Sequence, residues 1–171
     1  MENLAGKYET LFLDRDGVIN KHIPDGYVKN WDEFEFLPGV LEAFEILSVY
    51  FKTIVIVTNQ RGVGKGLMTE DELINIHERM TSEIRLYGGR IDKIYYCTDI
   101  NMDNPNRKPN SGMALQAKND FPCIEFEESI MIGDGQSDIE FGNRLGMKTV
   151  LINDSERKDG LLKFALSLPR K

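Results

Sequence analysis

Two aspartates close the first apolar run of the chain: Asp14 and Asp16, with Arg15 between them and Gly17 directly after. Because strand side chains alternate between faces, the two carboxylates point the same way if the run is a β-strand that continues. Two like charges this close are unfavourable unless a cation or a shared proton lies between them. One carboxylate of such a pair can attack an electrophile while the other carries a proton. The spacing therefore indicates a functional pair whose charge is compensated from elsewhere.

Further polar residues follow later apolar runs: Thr58 and Asn59, then Lys108, then Asp134 with Asp138 one helical turn later. A cluster of carboxylates with one lysine and one threonine suits phosphoryl transfer with a hard divalent metal, because Mg²⁺ prefers oxygen ligands. Lysine and hydroxyl groups are suitable donors to the oxygens of a transferred phosphoryl group. The charge of Mg²⁺ would also offset the repulsion within the first pair of aspartates.

Alternating elements are predicted to position these side chains. Short β-rich runs are the strand candidates, at residues 10–14, 53–59, 91–97, 129–134 and 148–153. Longer periodic segments between and after them are the helix candidates, at residues 38–50, 69–89, 111–120, 137–146 and 156–167. Such alternation predicts an α/β fold with a doubly wound, mainly parallel sheet covered by helices on both faces. In open sheets of this kind, ligands bind at the carboxyl ends of the strands, where the polar residues lie.

The composition is that of one globular domain, which we expect to span residues 1–171. The net charge of -7 argues against nucleic acid as the principal partner, since phosphate backbones favour basic surfaces. No apolar run approaches the roughly 18 residues of a membrane-spanning helix, and the first residues lack the pattern of a signal peptide. Cys97 and Cys123 are the only cysteines, too few for a disulfide framework, so we expect a cytoplasmic protein without membrane attachment.

Four short motifs occur in the order typical of one enzyme family: "DRDG" (14–17), "TN" (58–59), "RKP" (107–109) and "GDGQSD" (133–138). In these motifs the chain resembles the haloacid dehalogenase (HAD) superfamily of phosphatases. The longer strings "FLDRDGVIN", "GYV", "TNQRGVGKG" and "YYC" are similar to the branch that contains the D-glycero-D-manno-heptose 1,7-bisphosphate phosphatases and the histidinol-phosphate phosphatases. The resemblance covers residues 10 to 153 and implies a Rossmann-like, three-layer α/β/α fold. The intervals between the motifs leave no room for a cap domain.

The resemblance also implies roles for the acidic residues. Asp14 would be the nucleophile and a ligand of Mg²⁺. Asp16 would be the general acid/base and would give its backbone carbonyl to the metal. Asp134 would be a further metal ligand, whereas Asp138 is expected behind the ligands rather than among them.

The remaining motif residues would hold the substrate. The resemblance implies that Thr58, the Asn59 backbone and Lys108 bind the transferred phosphoryl group. Residues flanking the expected site are candidates for contacts with the rest of the substrate: Arg107, Asn20, Arg61 and Lys65, with His22 and Tyr27 nearby. His77 falls inside an amphipathic helix and is expected to be structural.

The chain departs from the branch in the segment after the third predicted strand. Many heptose bisphosphate phosphatases carry a zinc-binding loop there, with Cys-x-His followed by Cys-x-Cys just before the RKP motif. Here Cys97 is kept, but Asp99 stands at the histidine position, and Asn104 and Asn106 stand at the cysteine positions. A structural zinc needs about four nitrogen or sulfur ligands. We therefore expect no zinc.

Together these features predict a Mg²⁺-dependent phosphomonoesterase that acts through an aspartyl-phosphate on a small phosphorylated sugar, as a monomer or weak oligomer. The 7-phosphate of D-glycero-D-manno-heptose 1,7-bisphosphate is the first candidate, histidinol phosphate the second, and another sugar phosphate the third. A phosphoryl-receiving signalling module is the rival from a different class. The position of Asp16, two residues after the expected acceptor and ready to activate water, favours turnover over storage.

Overall fold

The computed structural model describes residues 6–152 and 159–169 of the chain. Within these ranges, five parallel strands form one sheet in the order β3-β2-β1-β4-β5. The strands are β1 (Thr10–Leu13), β2 (Thr53–Asn59), β3 (Lys93–Cys97), β4 (Ser129–Gly133) and β5 (Lys148–Leu151). All five predicted strands are confirmed, with ends shifted by at most two residues. The prediction of a single domain over residues 1–171 stays a prediction.

The helices of the described ranges are α1 (Val40–Tyr50), α2 (Arg61–Gly64), α3 (Glu70–Leu86), α4 (Gly112–Asp120), α5 (Gln136–Arg144) and α6 (Gly160–Ser167). The single turn α2 and the 3-10 turns at Trp31–Glu33 and Phe126–Glu128 were not predicted. Pro38 lies ahead of α1 rather than in its first turn, because Gly39 adopts a left-handed conformation (φ 75°) before the helix begins. Residues 156–158 of the last helix candidate lie outside the described residues.

The sheet is covered on both faces, as the continuous apolar strands predicted. Successive residues of β1 point to opposite sides: Leu11 and Leu13 pack with α1, α3 and α6, whereas Phe12 packs with α4 and α5. Strands of this kind bury both faces, so nearly every position is apolar. The three-layer α/β/α arrangement follows. In the described parts of the chain, no helix is long and apolar enough to cross a membrane.

Strand order places the carboxyl end of β1 at the centre of the molecule. The chain runs outward from β1 to β2 and β3 on one side, and then returns to build β4 and β5 on the other. The reversal creates a crevice beside β1, which is where open α/β sheets bind ligands. Three neighbouring strand ends, those of β2, β1 and β4, therefore present their following residues to the same space.

Helix α3 lies over one face of the sheet and brings a histidine to the interior. Thr69 and Glu72 form a capping box at its start, which satisfies backbone N–H groups that have no partner in the first turn. Its apolar stripe includes Ile76 and Met80, both fully buried, and the stripe also carries His77, which is 6% exposed.

Candidate active site

Asp14 begins the site as the first residue after β1. Its backbone N–H donates to Ile132 O of β4 at 3.0 Å, so the position of its backbone is fixed by the neighbouring strand. The buried ammonium of Lys108 donates to Asp14 Oδ1 at 2.9 Å and to Asp138 Oδ1 at 2.6 Å. An acidic residue at the end of β1 and another in the first turn of α5 thus share one lysine from the loop that precedes α4.

Burial decides the electrostatics of this cluster. It raises the pKa of Asp14 to about 7; the nearby charge of Lys108 opposes the shift, while Asp138 and Asp16 add to it. Burial alone would lower the pKa of Lys108, but the two carboxylates beside it raise that pKa above its ordinary value. Lys108 therefore stays an ammonium, and Asp14 lies in surroundings that call for more positive charge.

A group of three carboxylates could hold a cation. Asp14, Asp134 and Asp138 each offer an oxygen within 4.8 Å of the other two. Asp138 is already engaged: Oδ1 accepts from Lys108, while Oδ2 accepts from the backbone N–H groups of Asp134 (3.2 Å) and Gly135 (3.1 Å). It thus holds the lysine and the turn before α5, and its expected position behind the ligands stays a prediction. Oxygen donors alone suit a hard divalent cation.

Gly17 allows the chain to turn closely against this carboxylate group. Its φ is +83°, a conformation that side chains other than glycine rarely adopt. A Cβ atom at this position would lie 2.0 Å from Asp134 Oδ2. The glycine of the DRDG motif is therefore required by both its backbone conformation and its contact with Asp134.

Asp16 lies in a different set of contacts, although it is only two residues from Asp14. Its Oδ1 accepts from Arg15 NH2 and from Asn20 Nδ2, both at 2.9 Å, and its Oδ2 accepts from Gln60 Nε2 at 2.8 Å. We call Arg15, Asn20 and Gln60 the Asp16 frame. Burial would raise the pKa of Asp16, but the Arg15 charge and these hydrogen bonds outweigh it and hold the pKa below its usual value.

The frame continues away from the pocket into the core. Arg15 is fully buried, and its NH1 lies 3.1 Å from His77 Nε2 of α3. Gln60 Nε2 also donates to Thr58 Oγ1 at 3.0 Å, which connects the frame to the end of β2. Sequence reasoning did not assign functions to Arg15 and Gln60. No local signal marks these contacts, because β1 ends at Leu13 and Arg15 lies in the loop after it.

Asn59 fixes the backbone of Lys108. Asn59 Oδ1 accepts from Lys108 N at 3.0 Å, and Asn59 Nδ2 donates to Lys108 O at 3.1 Å. The side chain therefore binds both polar groups of one residue, as a neighbouring strand would. Thr58 is fully buried beside it.

The structure corrects the expectation for Asn20. This residue was a candidate for substrate contact, but its side chain is fully buried and its Nδ2 donates to Asp16 Oδ1 and Lys21 O. Its role is to hold Asp16 from behind. The loop after β1 folds back on itself, with a bridge between residues 16 and 20, and this turn carries Asn20 inward.

A pocket of about 650 Å³ opens over the strand ends. Its floor includes Asp14, Asp16, Lys108 and Asp134. Cationic and polar side chains from separate loops complete the wall: Arg61, Lys65, Arg107, His22 and Tyr27. The structure therefore brings most of the sequence-predicted residues to one pocket, with Thr58 and Asn20 buried behind it.

The loop after β3 is held by its own polar side chains. Asn104 Nδ2 donates to Asp99 Oδ2 at 2.9 Å, and Asn104 Oδ1 accepts from the Asn106 backbone N–H at 2.8 Å. Asp99 Oδ1 accepts from the Asn101 backbone N–H at 2.9 Å. Asp99, Asn104 and Asn106 are the residues that stand at the expected positions of zinc ligands. The absence of zinc stays a prediction, and the loop has a hydrogen-bond network where such a metal would be expected.

Comparisons with known proteins agree with this geometry. Residues 105–167 match the HAD-hydrolase-like family. The chain is 36% identical, over 85% of its length and 80% of the relative's, to a D-glycero-alpha-D-manno-heptose-1,7-bisphosphate 7-phosphatase of Burkholderia mallei. It is 37% identical, over 78% of its length and 75% of the relative's, to the corresponding beta-heptose enzyme of Haemophilus influenzae.

The chain belongs to the haloacid dehalogenase superfamily of phosphatases.

A crystal structure supports the same assignment. The D,D-heptose 1,7-bisphosphate phosphatase of B. bronchiseptica, complexed with magnesium and phosphate, superposes with a TM-score of 0.79 at 29% identity, over 95% of this chain and 89% of that one. The relatives confirm the predicted family, the HAD-like fold and the enzyme class of phosphoric monoester hydrolases. Within the residues described, no separate cap domain covers the pocket, since the helices and strands given above account for the fold.

Proposed function

We propose that the chain is a Mg²⁺-dependent phosphomonoesterase that removes the 7-phosphate of D-glycero-D-manno-heptose 1,7-bisphosphate through an aspartyl-phosphate at Asp14. The observation that carries the proposal is the arrangement on the pocket floor. A partly buried carboxylate, Asp14, is paired with the buried Lys108, and a second carboxylate, Asp16, lies two residues along the chain. A nucleophile, a cation for the phosphoryl oxygens and an acid/base thus face one space.

The carboxylate cluster fits a hard divalent cation by its chemistry, since it offers oxygen donors in surroundings that raise the pKa of Asp14. Asp14, Asp134 and the backbone carbonyl of Asp16 would hold Mg²⁺. When bound, Mg²⁺ supplies positive charge that favours the carboxylate form of Asp14 and offsets the charge of the substrate phosphate.

The side chains then carry two displacements. In the first, a carboxylate oxygen of Asp14 bonds to phosphorus while the bond from phosphorus to the sugar oxygen breaks. That oxygen takes a proton from the protonated form of Asp16, which is the minor form because the contacts of this carboxyl hold its pKa low. In the second, Asp16 takes a proton from water, whose oxygen attacks the same phosphorus and releases phosphate from Asp14. Lys108 donates to the phosphoryl oxygens in both steps, and the Asn59 backbone is the further donor we propose. Thr58 was expected to join them, but it is fully buried behind the pocket, where its Oγ1 accepts from Gln60 Nε2.

The wall of the pocket favours a substrate with a second anionic group. Arg61, Lys65 and Arg107 lie around the opening, so the part of the substrate away from the reacting phosphate meets positive charge. A heptose bisphosphate carries a second phosphate there. Histidinol phosphate carries an amino group instead, which such surroundings disfavour.

Phosphate release from a panel of phosphorylated metabolites tests the proposal, with and without Mg²⁺, for wild type and Asp14→Asn. The panel contains the alpha and beta anomers of the heptose bisphosphate, histidinol phosphate and other sugar phosphates. We expect Mg²⁺-dependent turnover of a heptose bisphosphate that Asp14→Asn abolishes. If histidinol phosphate alone is turned over, it replaces the heptose bisphosphate as the substrate. Stable phosphoprotein without turnover would favour a receiver module.

A further inference from the structure

We infer that His77 is a positioning residue for the proton-transfer step: it holds Arg15, and Arg15 holds the carboxyl group of Asp16. The inference rests on the proposed function of Asp16 as general acid/base. It changes the expectation for His77, which the helical pattern alone marks as structural.

The contacts form a continuous chain from helix α3 to the pocket. His77 Nε2 lies 3.1 Å from Arg15 NH1, and Arg15 NH2 donates to Asp16 Oδ1 at 2.9 Å. His77 is 6% exposed and Arg15 is fully buried, so water does not substitute readily for either partner. His77 and Asp16 thus hold the two terminal nitrogens of one planar guanidinium, whose plane they define together.

The anchoring depends on both terminal nitrogens. Among the described residues, Arg15 Nε has no hydrogen-bond partner. Loss of His77 would leave the contact with Asp16 as the remaining side-chain contact of the guanidinium, which could then rotate. The carboxyl of Asp16 would retain Gln60 and Asn20 but lose a fixed partner on Oδ1.

A neutral imidazole suits this task better than a carboxylate would. Burial and, to a lesser extent, the Arg15 charge lower the pKa of His77 to about 3, against an opposing effect of the Asp16 charge. Because Arg15 can only donate, Nε2 must be the acceptor, which places the single ring proton on Nδ1. A carboxylate at this position would compete with Asp16 for the charge of Arg15, whereas the imidazole fixes the arginine without adding negative charge.

The consequence is specific to proton transfer. A leaving group that is a weak base departs without a proton, whereas an alkoxide needs one from Asp16. Misplacement of Asp16 should therefore slow the first displacement for alkyl phosphates more than for p-nitrophenyl phosphate. The ratio kcat/KM reports this displacement, because it includes the steps up to departure of the leaving group.

The experiment compares kcat/KM for p-nitrophenyl phosphate, phenyl phosphate and, as the alkyl phosphate, D-glycero-D-manno-heptose 1,7-bisphosphate, in wild type, His77→Phe and His77→Gln. His77→Phe keeps an aromatic ring but removes the acceptor, and His77→Gln keeps an acceptor. We expect His77→Phe to lose about 10- to 100-fold on the alkyl phosphate beyond its loss on p-nitrophenyl phosphate, a fraction of the usual general-acid contribution. His77→Gln should restore most of that difference.

Ile84→Val is the matched control, since Ile84 is fully buried on the same helix and does not contact Arg15 through a hydrogen bond. It should lower the unfolding midpoint without changing the dependence on the leaving group. Equal losses on all three substrates in His77→Phe would overturn the inference. Failure of the wild type to hydrolyse any of them would instead overturn the proposed function.

A measurement on the wild type covers the case in which His77→Phe does not fold. The chain contains two histidines, so ¹⁵N NMR of the imidazoles resolves His77 against a His22→Gln reference. We expect a neutral ring protonated at Nδ1 and not at Nε2. A proton on Nε2 would exclude the acceptor role and overturn the inference.

Discussion

The two aspartates of the DRDG motif lie in opposite electrostatic surroundings although one residue separates them. On the Asp14 side, Asp14 and Asp138 share Lys108, Asp134 joins the same cluster, and burial raises the pKa of Asp14 to about 7. On the Asp16 side, one carboxylate accepts from a frame of three side chains that lower its pKa in spite of burial. Side chains of the protein compensate the negative charge of Asp16, whereas the carboxylates around Asp14 require an added cation.

The largest effect should come from removal of Lys108. Lys108→Met leaves Asp14 and Asp138 buried without their shared cation, and breaking a buried pair in this way typically costs about 3–5 kcal/mol. We expect an unfolding midpoint far below that of wild type and no phosphatase activity. Urea denaturation measures the first effect and phosphate release the second.

Two variants test the assignment of this cost to the carboxylates. Adding Asp138→Asn to Lys108→Met removes one uncompensated charge and should recover part of the stability but none of the activity. Lys163→Met breaks the exposed pair with Asp159 and should leave the midpoint unchanged. Equal midpoints for Lys108→Met and Lys163→Met would contradict the described role of Lys108.

Added Mg²⁺ should raise the unfolding temperature through the carboxylates around Asp14 and not through the Asp16 frame. A cation that binds only the folded state at 100 times its dissociation constant adds about 2.7 kcal/mol to the free energy of unfolding. We expect thermal unfolding to shift upward with Mg²⁺ in wild type, and the shift to be lost in Asp134→Asn. Gln60→Leu, which alters the Asp16 frame, should keep it.

Zinc supplies the contrasting measurement. The loop after β3 is held by Asp99 and Asn104 through hydrogen bonds, so a zinc-selective chelator should leave the unfolding temperature where it is. A large loss of stability with that chelator would mean that a metal, and not this network, holds the loop.

Glycine substitutions separate the contact with Asp134 from backbone strain. Gly17 and Gly66 both have positive φ, at +83° and +71°, but a Cβ at Gly66 meets nothing within 4 Å. Gly66→Ala should cost about 1–2 kcal/mol of stability from backbone conformation alone. Gly17→Ala should cost more and should also abolish the Mg²⁺-induced thermal shift. Equal losses of stability and equal Mg²⁺-induced shifts in the two variants would show that the Asp134 side chain moves away from the added Cβ without cost.

The smallest of the expected changes concerns pH and His77, which contacts Arg15 of the Asp16 frame. The pKa of His77 is lowered to about 3 in the folded protein from an ordinary 6.5, so the unfolded chain binds a proton that the folded one does not. Stability from this group is complete above pH 6.5 and is lost as the pH falls towards 3. The loss is about 1 kcal/mol at pH 5.5. His77→Gln should flatten the stability profile between pH 6.5 and 5.5; an identical profile would contradict a neutral His77.

The strands and most of the pocket could be predicted because their signals are local or carried by motifs. Apolar runs mark β1 to β5, and the residues directly after them, such as Asp14 and Asp134, must meet at one edge of a parallel sheet. The Asp16 frame is different, since His77 lies 62 residues from Arg15, and Gln60 lies 44 from Asp16. The contact of His77 depends on how α3 packs on the sheet, and that of Gln60 depends on the pairing of β1 with β2. The burial of Asn20 was missed for a local reason, since the turn after β1 folds residue 20 back onto residue 16.

The pair of hydrogen bonds between the Asn59 side chain and the Lys108 backbone has a consequence for the evolution of this enzyme. They attach the lysine to the end of β2, downstream of residues 98–106. That stretch can change its length or composition while the anchored lysine stays in register with the sheet. The part of the loop that borders the pocket at Met102 and the position of the Lys108 ammonium can therefore change independently of each other.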